Sequence, residues 1–169
     1  MLKLQNILFS GDFQKLRSDL MRSEKLRFPE LVEKVRDELD LKVMLSLRDR
    51  EKIPAQGRLL IVANHPLAFL DLFALYTTAA DVRKDVVAVV DTLQEFIAPG
   101  AGVILRQGKD SAVKTMRAIH AALDAEKAVI VFPAHSRHWG ISQITDGEWH
   151  KSVAKIATTN KVVSVVDNT

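Results

Sequence analysis

Five short apolar runs, set among stretches with helical spacing, constrain this chain more than any other feature. Residues 59–63 read Leu-Leu-Ile-Val-Ala, residues 86–90 Val-Val-Ala-Val-Val and residues 128–132 Ala-Val-Ile-Val-Phe; residues 102–105 and 162–166 complete the set. The runs are near-continuous rather than alternating, so each predicts a strand buried on both faces. Between and beside them the spacing turns helical over residues 72–80 and 110–124, the latter with Val113, Met116, Ile119 and Leu123 on one face. Thr145 and Glu148 have the spacing of a capping box, followed by Trp149, Val153 and Ile156 on the inner face of a last helix. Strands alternating with helices predict an α/β fold: a central, mainly parallel sheet with helices on both faces.

A helical N-terminal segment, residues 1–40, precedes residues 41–169, the two forming a single domain overall. Phe13, Leu16 and Leu20 follow helical spacing, as do Leu31, Val35 and Leu39, with Pro29 where a second helix would begin. Residues 42–47 read as an edge strand, residues 51–57, with Pro54 and Gly57, as a loop, and Arg83 and Asp85 as part of a solvated turn.

With 169 residues, 47% of them hydrophobic, the chain has enough apolar material for one core. It has no cysteine, which excludes disulfide scaffolds, thiolate zinc sites and cysteine nucleophiles. No apolar run approaches the roughly 18 residues of a spanning helix, and the first residues do not resemble a signal peptide. The expectation is a cytoplasmic protein, soluble or peripheral to the inner face of the membrane. The whole net charge of +3 lies in residues 1–36, which hold eight basic and five acidic residues. Leu2, Leu4, Ile7, Leu8, Phe9 and Phe13, flanked by Lys3 and Lys15, suit either an anionic bilayer interface or packing on the sheet. Residues 28–40 are expected to pack. No basic cluster or aromatic signature points to nucleic acid.

Chemistry is to be sought beyond the carboxyl ends of the strands, where ligands of parallel sheets bind. Two strand ends are rich in polar groups: Asn64-His65, and the stretch from Pro133 to Arg137. Asp71 follows His65 across an otherwise apolar loop. If the loop turns back, the carboxylate orients the imidazole and leaves its other nitrogen as a general base. The alternative is a helix-capping aspartate beside a satisfied, half-buried histidine. His135, His138 and His150 would need clustered carboxylates to complete a metal site with His65, so no metal is expected.

The stretch Asn64-His65-Pro66-Leu67-Ala68-Phe69-Leu70-Asp71 resembles the histidine–aspartate motif of the glycerolipid acyltransferase superfamily, the lysophosphatidic acid acyltransferase-like enzymes. Five residues separate the pair here instead of the usual four, which is similar to the haemolysin-like branch that includes ornithine-lipid acyltransferases. In the same order, Gly102-Val103-Ile104-Leu105-Arg106 resembles the second motif and Phe132-Pro133-Ala134-His135-Ser136-Arg137 the third. The segment from Ile144 to Lys151 is similar to one that follows in the branch. The chain departs from the pattern at His135, where the family has glycine, at Ala68 and Phe69, and in a last strand without the proline of the fourth motif.

The resemblance implies transfer of a fatty acyl group from acyl-coenzyme A or acyl carrier protein to a lysolipid or aminolipid acceptor, as in 1-acylglycerol-3-phosphate O-acyltransferases. It makes His65 the base and Asp71 its orienter. Arg106 and Arg137 become the anion site, and Asn64, Pro133 and Ser136 further substrate contacts. Neither a cofactor nor a covalent enzyme intermediate is required. A non-catalytic lipid-binding protein of the same fold and a thioester or lipid hydrolase are the alternatives.

Overall fold

The computed structural model describes residues 11–43, 50–63, 69–90, 95–98, 100, 102–106, 111–133, 137–139, 144–146, 151–160 and 163–167. Two helices lead: α1 (Gly11–Arg22) and α2 (Phe28–Glu38). Then come β1 (Leu59–Ala63), α3 (Phe69–Val82), β2 (Val86–Val90), β3 (Val103–Leu105), α4 (Ser111–Asp124) and β4 (Ala128–Val131). A hairpin of β5 (Arg137–Trp139) and β6 (Ile144–Asp146) follows, then α5 (Ser152–Asn160) and β7 (Val163–Asp167).

The main sheet has the order β3-β2-β4-β1-β7 and every pairing in it is parallel. All five residues of β1 are buried, as are all four of β4. Alternate residues of β1 serve different cores. Leu59 and Ile61 join Leu16, Leu20, Phe28, Leu31, Val35, Phe73 and Tyr76, beneath α1, α2 and α3. Leu60 and Val62 join Ile119, Leu123 and Ile156, beneath α4 and α5. The chain passes from β1 over β4 to reach β2, and later from β4 over β1 to reach β7. Crossovers of one hand that run in opposite directions place their helices on opposite faces. The α/β fold with both faces covered is therefore as the sequence predicts.

Several local expectations change. Leu16 and Leu20 are buried in the first core, so α1 packs through that stripe; residues 1–10 lie outside the described residues. Lys42 and Val43 are in no strand, and residues 44–49 lie outside the description. Val113 is 56% exposed, and Thr115 takes the inward position one turn before Ile119. Thr145 is not a helix cap but the middle of β6, paired with His138; α5 begins at Ser152, and residues 147–150, with Glu148 and Trp149, lie outside the described residues. The hairpin had no sequence signal because three-residue strands are too short to show a period.

Arg83 is buried rather than solvated, although Asp85 remains partly exposed. The Arg83 side chain is 1% exposed, and its Nε and Nη2 donate to Asp85 Oδ1 and Oδ2, each at 2.6 Å. Nη1 donates to Pro54 O at 3.2 Å and Nη2 also to Glu126 O at 2.8 Å. One guanidinium thus ties the loop before β1, the end of α3, the start of β2 and the end of α4. Glu126 has φ +58°, and the Lys127 and Glu126 amides donate to Ala122 O and Leu123 O, the paired bonds of a Schellman cap. The cap aims Glu126 O at the arginine.

Candidate active site

All five strands of the main sheet point the same way, so their carboxyl ends share one edge. β1 and β4 are neighbours there, with Val62 opposite Val131. The chain leaving β1 enters α3 on the first face, and the chain leaving β4 leads to α5 on the second. Adjacent strands whose connections part to opposite faces leave a crevice between them, the usual ligand position in open α/β sheets. The sequence singles out these two strand ends by their polar residues, and the topology makes them neighbours.

Asp71 is the third residue of α3, half-buried in its first turn. A carboxylate there is favoured by the helix dipole and is directed by a rigid element rather than a loop. It forms part of the wall of a cavity of about 190 Å³ between α2, residues 41–43 and α3. The other described residues of the wall are mostly apolar: Val32, Leu41, Val43, Leu70, Phe73 and Ala74, with Arg36, Lys42 and Thr77. An apolar hollow whose described wall includes an acid can take the hydrocarbon part of an amphiphile beside a group that binds or orients a proton donor.

Pro133 is buried two residues beyond β4, alongside the end of β1. Arg106 follows β3 directly, exposed, with its amide donating to Val90 O at 2.8 Å. It shares the carboxyl edge with Asp71, but β3 is three strand steps from β1, a lateral separation of about 14 Å. Arg137 opens β5, where it pairs in register with Asp146. Asn64, His65 and Ser136 lie outside the described residues. Among the described residues no cluster of three histidine, cysteine, aspartate or glutamate residues could hold a metal.

The walls contributed by α2 and by residues 41–43 are absent from the sequence reading. The apolar stripe of α2 signals packing, but Val32 and Arg36 carry no mark that distinguishes a cavity wall from a core contact. No protein-family model, no curated protein and no solved structure matches this chain.

Proposed function

We propose that this protein transfers a fatty acyl group from an acyl thioester, on coenzyme A or acyl carrier protein, to the hydroxyl or amine of a lysolipid or aminolipid. The reading follows the resemblance of residues 64–71, 102–106 and 132–137 to the acyltransferase motifs. The observation that supports it is Asp71: an acid in the first turn of the helix after β1, half-buried at the carboxyl edge, and part of the wall of an apolar cavity. In this reading His65 takes the proton from the acceptor as it attacks the thioester carbonyl, and the thiolate departs. Asp71 fixes the tautomer and orientation of the imidazole. Arg106 and Arg137 bind the anionic part of the substrate, a role suited to a planar guanidinium that meets phosphate or carboxylate with two hydrogen bonds. Asn64, Pro133 and Ser136 are further substrate contacts in this reading.

The direct test incubates the purified protein with acyl-coenzyme A and acyl carrier protein donors against a panel of lysolipids and aminolipids, with products read by mass spectrometry. An acylated acceptor is expected. Thioester consumed to free fatty acid alone, with every acceptor, would mean hydrolysis instead. Arg106→Ala is expected to raise the acceptor KM about tenfold with kcat little changed, the loss of one charge-assisted contact. An unchanged KM would make Arg106 structural.

The reading also places the protein against an anionic membrane surface on the side of α1. No described helix is long and apolar enough to cross a membrane. The exposed positions of α1 carry Lys15, Arg17 and Arg22 beside Asp12 and Asp19, with Met21, which is 58% exposed. Sedimentation with vesicles containing phosphatidylserine, lost at high salt and absent with phosphatidylcholine alone, is the expected outcome. Binding indifferent to lipid charge would count against it.

A further inference from the structure

The main sheet ends on two unlike edges. At one, β3 is three residues long, a length that blunts an edge. At the other, β7 runs for five residues and pairs in register with β1 at every one of them, from Leu59–Val163 to Ala63–Asp167. That ladder has no bulge, and Val-Ser-Val-Val-Asp contains neither the proline nor the lysine that commonly protects an edge. Among the described residues no strand lies on the outer side of β7, so its backbone there is a template for a further strand. The local sequence says which strand fits. Residues 161–167 read Lys-Val-Val-Ser-Val-Val-Asp, with two valines on either side of Ser164 and opposite charges at the ends. Lys161 and Val162 lie outside the described residues and enter through the sequence alone. Laid antiparallel on a copy of itself about Ser164, this stretch matches serine to serine, valine to valine and lysine to aspartate.

We infer that β7 is a self-association edge: two copies of this chain pair β7 antiparallel about a two-fold axis at Ser164, joining two five-stranded sheets into one. Nothing in this depends on the acyl-transfer reading. A two-fold interface has to be self-complementary, and residues 161–167 meet that condition at every position. Lys161 stands opposite Asp167 of the partner subunit at both ends of the pairing, which fixes the register. A slip of two residues in either direction sets both charges against uncharged residues. Because the axis is perpendicular to the sheet, the face carrying α1, α2 and α3 lies on the same side in both copies. The two carboxyl edges point in opposite directions.

Sedimentation equilibrium of the full chain, at concentrations up to millimolar, should show a species of twice the chain mass. Lys161→Asp and Asp167→Lys each put like charges at both ends of the pairing and should raise the dimer Kd at least about tenfold. Far-ultraviolet circular dichroism checks that each variant is folded. Mixed in equal amounts, the two variants should dimerise with nearly the original affinity, because each then meets the opposite charge at both ends. The chain carrying both substitutions should likewise dimerise as the original does. A variant that had merely lost its fold would not be rescued in either way. A chain that stays monomeric at every concentration overturns the proposal. So does a dimer that both reversals leave intact, or a loss of dimer that neither mixing nor the double substitution restores.

Discussion

His65→Ala is expected to reduce acyl transfer by about 10²–10⁴-fold, the usual contribution of a positioned general base, with the fold unchanged. Without the imidazole the acceptor's proton has only water to go to, and the hydroxyl or amine attacks far more slowly. The donor KM should change little, because a base acts on the acceptor in the transition state. Asp71→Asn is the sharper companion. It keeps size and capping ability at the start of α3 but removes the charge that fixes the imidazole tautomer, so kcat should fall by at least about 10²-fold. Combining the two substitutions should cost little more than His65→Ala alone, because residues that act as a unit are not additive. Transfer within a few-fold of the original protein in His65→Ala, measured by product mass spectrometry against a no-enzyme control, would remove the assignment.

Arg83→Met should lower stability by about 3 kcal/mol. The side chain is 1% exposed and makes four hydrogen bonds, to the carboxylate of Asp85 and the carbonyls of Pro54 and Glu126. Methionine fills much of the space but leaves both carbonyls and the acid without their donor. Because the clamp sits at the opposite edge of the sheet from Asp71, transfer per folded molecule should be unaffected; urea unfolding and activity at low temperature separate the two.

The Arg83 guanidinium beside Asp85 holds that carboxyl below its usual range, against a smaller opposing effect of burial. A depressed folded-state pKa means stability that is present above the unfolded pKa of about 3.9 and lost as pH falls through the lower folded value. Asp85 is 41% exposed, so solvent screens part of the interaction and the pH effect is modest. Asp85→Asn should flatten the acid limb of Tm against pH and cost less than Arg83→Met at neutrality. An acid limb identical to that of the original protein would mean that other carboxylates dominate.

The candidate site was partly legible beforehand. Asp71 stands out because it is the one acid in the apolar stretch that opens α3, and a charged residue bordering a buried strand needs a reason. Arg106 is singled out by the resemblance of residues 102–106, yet its distance from β1 is not legible, since short strands in a sequence carry no order across a sheet. The burial of Arg83 is hidden in the sequence for a related reason. Asp-Val-Arg-Lys-Asp looks like any solvated turn, and what buries the arginine is Pro54 and Glu126, distant in sequence from it and from each other.

Layering is a local property: a strand covered on both faces must be apolar at every position, and a helix on its surface must be apolar on one stripe. Those requirements are written residue by residue, so residues 59–63, 86–90 and 128–131 declare a parallel sheet between helices before any contact is known. Strand order is not local. That β4 lies against β1, that their connections part to open a crevice, and that α2 closes a cavity over Asp71 all depend on pairings between remote segments. Such pairings are chosen by the summed packing of the whole core, and no single stretch of this chain encodes them.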